Sequence, residues 1–214
     1  SGLAATDVVL DSPTNNWCTW NAIAASNITL SEGNLKGTST SSLQGGIDGT
    51  FSVSSGKWYW EINVIANSSR GSMGIINRPF VDYSANESGT YMYLPNGKKR
   101  QTTSDSSYGA SYTDGDIIGI ALNLEDGEVT FYKNGSSQGV AFTSLSGEFT
   151  PWIQDGSGSG TPTLFANFGQ DSSFAGNETA QGNTDANGKG DFYYSVPSGF
   201  LALCTANLPD PAID

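Results

Sequence analysis

The sequence predicts an all-β fold with long surface loops, and three observations lead there. Apolar and polar residues alternate over short runs divided by turn residues, the pattern of half-buried strands. A 3.6-residue apolar period persists nowhere for three turns, so no helix is expected. Only 14% of the 214 residues are charged and 27 are Gly, a turn-rich composition, while 5 Trp, 9 Tyr and 10 Phe supply large side chains for a core. A chain of this length can bury one sizeable core, which gives a single domain over residues 1–208 and an extended tail or linker over 209–214.

The elements follow in order. FSVSSGKWYWEINV reads as a strand, a Ser-Gly turn, and a second strand with Trp58, Trp60, Ile62 and Val64 on one face and Tyr59, Glu61 and Asn63 on the other. GSMGII and YMYL are further short strands. DIIGIAL is apolar on both faces and reads as a central strand, and the EDG and KNG turns carry it into EVTFYK and SQGVAF as a three-stranded meander. In GEVTFYKNGSSQGVAF, Val129 and Phe131 face the core, and Asn134-Gly135 supplies the left-handed dihedrals of a two-residue hairpin. PTLFANFG and GFLALCTANL close the series. Between them Gly176–Asp191 has no apolar residue larger than Ala and reads as a long surface loop, and Asp155–Thr163 as a second one.

A formal net charge of −12 with no histidine argues against nucleic acid and anionic membranes, which reward basic clusters. The longest apolar run, Ile117–Leu122, is too short to span a bilayer, and Ser1–Leu10 lacks the basic start and apolar centre of a signal peptide, so a soluble protein is expected. Cys18 and Cys204 stand near opposite ends. A disulfide between them would contribute roughly 4 to 5 kcal/mol in the chain-entropy model and requires the terminal strands to be neighbours; two buried free thiols are the alternative.

Six blocks in order resemble the SPRY domain family. They are Gly56-Lys57-Trp58-Tyr59-Trp60-Glu61, Met73-Gly74-Ile75-Ile76, Gly115-Asp116-Ile117-Ile118-Gly119, Phe131–Gly135 with Gly139–Phe142, Pro151-Trp152-Ile153 and Asn167-Phe168-Gly169, spread over residues 51–170. The resemblance implies a concanavalin A-like sandwich of two antiparallel sheets whose loops at one end recognise a partner, usually a protein. The flanks SPTNNWCTWN, LSEGNLK and PSGFLALCTANLP are similar to SPRY-containing proteins of bacteriophages and aquatic viral sequences. That resemblance implies a virion or tail-associated location, with a host-surface glycan or protein, or other virion subunits, as partners.

Chemistry has few footholds. A glycoside hydrolase on this sandwich needs two facing carboxylates, commonly alternating on one strand, but on WYWEINV Glu61 is followed two residues on by Asn63. The absence of histidine removes a Ser-His-Asp arrangement and the usual zinc ligand, so a non-enzymatic binding module is expected. Asn183, Asp185, Asn187 and Asp191 set oxygen side chains at alternate positions around Gly188, the start of a calcium-loop pattern, although Tyr194 stands where the bidentate glutamate would be; ordinary Asn/Asp/Gly loop chemistry is the favoured reading. Candidate recognition residues are Arg78, Tyr83, Tyr91, Tyr93, Tyr108 and Tyr112, which combine rigid aromatic area with directional polar groups. Core or edge packing is the competing role of these alternating tyrosines. Lys98, Lys99 and Arg100 hold three of only nine basic residues, and read either as a solvated turn or as a dock for an anionic group.

Overall fold

The structure is a computed structural model that describes residues 15–41, 44–67, 69–79, 89–156 and 160–209. Among them, fourteen strands form two sheets and no helix occurs. The larger sheet runs β1 (Ile28–Ser31), β2 (Lys36–Ser39), β13 (Thr163–Asn167), β4 (Lys57–Ala66), β9 (Ile117–Asn123), β10 (Glu128–Lys133), β11 (Ser136–Phe142). A two-residue strand, β14 (Leu201–Ala202), pairs in parallel with Trp58–Tyr59 of β4, below the stretch that β13 occupies. The smaller sheet runs β3 (Gly45–Asp48), β12 (Glu148–Asp155), β5 (Gly71–Arg78), β6 (Thr90–Tyr93), β7 (Lys98–Gln101), β8 (Ser104–Ser107).

The expected alternation on β4 holds. Trp58, Trp60, Ile62 and Val64 enter the core between the sheets, where they meet Ile75 and Ile153 of the smaller sheet and Phe131 of β10. The opposite face of β4 does not meet water. The chain after β13 lies across it, and Tyr59, Ala121, Phe192, Ala202, Cys204 and Trp17 form a second apolar cluster there. Gly119 of β9 stands opposite Glu61 and leaves room for the Tyr59 ring, since a Cβ there would fall 2.9 Å from a ring carbon. β9 is buried throughout its first six residues, as its continuous apolar run requires.

The β9–β10–β11 meander forms as expected. Lys133 pairs with Ser136 across Asn134 and Gly135, whose φ angles of 49° and 76° are both left-handed. Asn134 also braces the neighbouring strand: its Oδ1 accepts the Ile117 N–H at 2.9 Å and its Nδ2 donates to Asp116 at 2.7 Å. Val129 and Phe131 are fully buried in the core.

Three expectations change. Lys98-Lys99-Arg100 is strand β7 rather than a turn, because the turn closes at Gly97 and Met92 and Tyr93 pair with Arg100 and Lys99. FSV makes only a single bridge, Val53 to Phe149, and GFLALCTANL contributes only Leu201–Ala202 to the sheet because β13 already occupies the rest of that β4 edge. The terminal segments are neighbours, with Trp17 bridged to Cys204 and the Cys18 N–H donating to the Leu203 carbonyl at 3.0 Å. Yet both thiols are free: Cys18 enters the inter-sheet core and Cys204 the second cluster. Burial pushes the Cys18 thiol up to about 12.

Candidate functional site

A cavity of about 760 Å³ opens where the β4–β5 turn, the β6–β7 turn and the segment before β9 converge. Its frame is built from Asn67, Arg70 and Tyr112. The Asn67 N–H donates to Asp114 at 2.7 Å, its Nδ2 to the Tyr112 carbonyl at 3.1 Å, and its carbonyl accepts the Arg70 N–H at 3.0 Å. Arg70, 8% exposed, donates to the Gly156 carbonyl at 2.6 Å, the Gly160 carbonyl at 2.7 Å and the Asp155 carboxylate at 2.6 Å. This buried pair ties the β4–β5 turn to the end of β12, and loss of either partner would strand a charge. Asn67 is 4% exposed, and its Oδ1, itself buried, has no hydrogen-bond partner. Arg100 stands at the mouth, in a two-point pair with Asp105 at 2.5 and 3.1 Å that holds the Asp105 carboxyl below its ordinary value.

The candidates from the sequence divide among several places. Arg100 and Tyr112 line this cavity. Tyr112 is a framework residue: it is buried, its hydroxyl lies 2.9 and 3.0 Å from the Gly71 and Tyr93 carbonyls, and burial raises its pKa well above the ordinary phenol value. Tyr93 is likewise in the core and donates to the Ala110 carbonyl, and Tyr108 braces β11 by donating to the Gly139 carbonyl at 2.6 Å. Burial pushes both phenols up to about 12. Core packing thus accounts for these three tyrosines. Tyr91 and Lys99 line a separate cavity of about 300 Å³ on the inner face of β6 to β8. Arg78 pairs with the buried Asp48 on the smaller sheet, Lys98 is exposed on β7, and Tyr83 lies outside the described residues. Asn67 and Arg70 were missed by sequence reasoning. Arg70 follows an Asn-Ser-Ser turn, and nothing local distinguishes it from a solvated charge.

The calcium-loop residues sit together, and both oxygens of Asp185 and one of Asp191 are engaged by the protein's own donors. Asp185 accepts Asn187 N–H at 2.8 Å and Lys189 N–H at 2.7 Å on one oxygen, and Ala202 N–H at 2.9 Å and Asn207 Nδ2 at 2.7 Å on the other. Asp191 accepts Ser172 Oγ at 2.5 Å and Gly182 N–H at 3.1 Å, while Asn183 donates to the Phe192 and Tyr193 carbonyls and Asn187 to Asn207. Among the described residues no group of three or more acidic, cysteine or histidine residues is arranged to hold a metal ion. The loop is fixed by these N–H donors.

Glu61, the lone carboxylate on β4, is buried beneath the chain after β13. It accepts the Tyr193 and Tyr194 N–H groups at 2.8 Å each, Tyr59 OH at 3.2 Å and Asn167 Nδ2 at 3.3 Å. Burial pushes its carboxyl up to about 7, with those hydrogen bonds opposing. Sealed in this way it fastens chain to sheet and lines neither of these two cavities. No helix among the described residues is long and apolar enough to cross a membrane.

Comparison with known proteins agrees with this architecture. Residues 57–168 match the SPRY domain model. The chain is 33% identical over 123 residues to Ran-binding protein 9 of Xenopus tropicalis, covering 54% of this chain and 22% of that protein, and 32% identical over 129 residues to Ran-binding protein 10 of Danio rerio, 54% and 20%. It therefore spans about a fifth of the length of these curated relatives. Among solved structures, the SPRY domain of human HERC1 superposes with a TM-score of 0.62 at 20% identity over 69% of this chain and 96% of that one. Stonustoxin gives 0.57 at 16% identity over 71% and 27%. Two antiparallel sheets, the ordered motif blocks and the match over more than half the chain together make this protein a member of the SPRY domain family, with a concanavalin A-like fold.

Proposed function

We propose that the chain is a non-enzymatic recognition module and that the 760 Å³ loop-end cavity takes a polar, extended segment of a protein partner. SPRY domains are generally protein-interaction modules, which supports the class of partner. The observation that carries the site is the open polar cavity itself, held in shape by Asn67, Arg70 and Tyr112 and lined by the exposed side chains of Asn96, Ser111, Thr113 and Asp114. Those exposed groups offer an incoming main chain hydrogen-bonding partners, whereas an apolar ligand would leave polar groups of the lining without the water they now hold. The flanks similar to phage and aquatic viral proteins support a finer reading, an adhesin on a virion that contacts a host-surface protein or glycan.

Ser111 lines the cavity and is exposed, so Ser111→Trp fills the space without removing a framework contact. Ten-residue peptides selected from a display library against the full chain are expected to bind it and to lose at least tenfold in affinity to the Ser111→Trp protein. Peptides indifferent to that substitution would show that the cavity is not the recognition site. For the adhesin reading, binding to whole host cells and glycan arrays is measured with and without calcium; failure on every surface, together with stable incorporation into particles, leaves a structural virion role in its place.

A further inference from the structure

The smaller sheet ends in β8, whose sequence Ser-Asp-Ser-Ser is exposed at all four positions. The hydrogen-bond parity of the ladder decides which of its groups are open. Leu94 N–H donates to the Lys98 carbonyl and Thr102 N–H to the Thr90 carbonyl, so the main chain of Lys98 and Arg100 faces β6 and that of Lys99 and Gln101 faces β8. With Lys99 opposite Ser106 and Gln101 opposite Ser104, the main-chain groups of Ser104 and Ser106 are taken. Those of Asp105 and Ser107 point outward, and among the described residues they make no hydrogen bond.

The side chains set a second condition. Tyr93, Lys99 and Ser106 are directly opposite one another across three strands and share the inner face of the sheet. Beneath β7 and β8 at this margin lies the 300 Å³ cavity, whose wall includes Tyr91, Lys99, Ser106 and Phe142 together with Asp105, the acid that Arg100 already neutralises. Lys99 lies 5.1 Å from the centre of the Phe142 ring and donates to the Ala141 carbonyl, so its ammonium is held at the cavity. Among the described residues neither Lys98 nor Lys99 forms a salt bridge; Lys98 helps to hold the Asp105 carboxyl down, and Lys99 faces no carboxylate among the ion pairs.

From the open edge, the cavity under it and the Lys99 ammonium at its wall, which has no carboxylate partner among the described residues, we infer that β8 is a docking edge for an extended acidic peptide of a partner protein. The peptide adds as a further strand, exchanging main-chain hydrogen bonds with Asp105 and Ser107. Alternate side chains then point to the inner face, where a carboxylate meets Lys99 and an apolar neighbour meets Tyr91 and Phe142. This surface is separate from the loop-end cavity and does not depend on the reading of that cavity.

The test uses the full chain and a display library of ten-residue peptides, with each selected peptide measured against two variants. Ser107→Pro removes only an outward N–H, which edge strands tolerate, and Lys99→Met removes the charge while keeping the aliphatic stem. At least one peptide family with acidic residues at alternate positions is expected, weakened tenfold or more by Ser107→Pro and by Lys99→Met and unchanged by Ser111→Trp. Amide exchange on the unmodified protein gives a readout that survives misfolding of a variant: the Asp105 and Ser107 amides become protected when such a peptide binds. The inference is overturned if no acidic family is selected, if its binding is lost in Ser111→Trp but kept in Ser107→Pro, if those amides stay unprotected, or if an acidic oligosaccharide binds the same lysines with no effect of Ser107→Pro.

Discussion

Asp185→Asn separates a structural anchor from a metal ligand. The two oxygens of Asp185 accept four N–H donors at 2.7 to 2.9 Å, and the side chain is 6% exposed. An amide of the same shape can offer its oxygen to one pair of donors only, and turns its own NH2 toward the other pair. Two charge-assisted bonds at about 1.5 to 3 kcal/mol each are lost, and the remaining two weaken with the charge. Allowing for water reaching part of the opened site, the loss is about 3 to 5 kcal/mol, a fall of order 10 °C in Tm for a chain of this size. The assay is thermal and urea unfolding of both proteins, each in EDTA and in millimolar calcium chloride. The anchor account expects the Asn variant to be weaker in both media and the parent protein to unfold identically in the two. A calcium loop behaves otherwise: saturating ion at a hundredfold its Kd would stabilise the parent by about 2.7 kcal/mol. A calcium-dependent rise in Tm that vanishes in Asp185→Asn, or a variant as stable as its parent, would refute the reasoning.

Three further outcomes are expected. Because burial raises the Glu61 carboxyl from its ordinary 4.5 to about 7, the folded state holds the proton more tightly than the unfolded one; the corresponding stability, roughly 3 kcal/mol, is whole below 4.5 and is lost as pH rises through 7. Urea midpoints across that window should fall with pH, and Glu61→Gln should flatten the part of the slope this group supplies; an unchanged slope in the variant contradicts the assignment. Gly74→Ala should cost about 2 kcal/mol or more, because the added Cβ would fall on the Tyr91 carbonyl oxygen and 2.9 Å from Met92 Cα, and paired backbone cannot yield as a side chain can; calorimetry showing parent-like stability would contradict the close approach of β5 and β6. Cys18 and Cys204 should resist alkylation in the native protein and react together on unfolding, since burial raises both thiols; rapid native-state labelling of either one would show that its cluster opens.

The sequence made legible whatever depends on residues close together in the chain. The Asn134-Gly135 hairpin, the two faces of β4 and the central position of β9 each follow from turn chemistry or apolar spacing within a dozen residues. What escaped depends on distant partners or on main-chain pairing. β7 and β8, Lys-Lys-Arg-Gln and Ser-Asp-Ser-Ser, carry no apolar alternation; they are strands because each pairs in series from β6, so the surface inferred as a docking edge had no side-chain signal at all. Glu61 showed on its strand as a solitary acid facing outward, and its meaning arrives 132 residues later with the Tyr193 and Tyr194 amides.

The stretch Gly176–Asp191 extends the same reasoning. Without large apolar side chains it cannot be ordered by a core, and composition alone reads it as a loose loop. Asp185 and Asp191 order it by gathering N–H groups from Gly182, Asn187, Lys189 and Ala202, so two short acids do the work that apolar burial does elsewhere. That ordered chain supplies Phe192 to the second cluster and the two amides to Glu61, and so converts the outer face of β4 from a solvated surface into an interior. With that face covered, the loop-end cavity and the margin at β8 are two surfaces that stay open among the described residues. A partner that competes with the chain after β13 for that face must first break the Asp185 and Glu61 anchors.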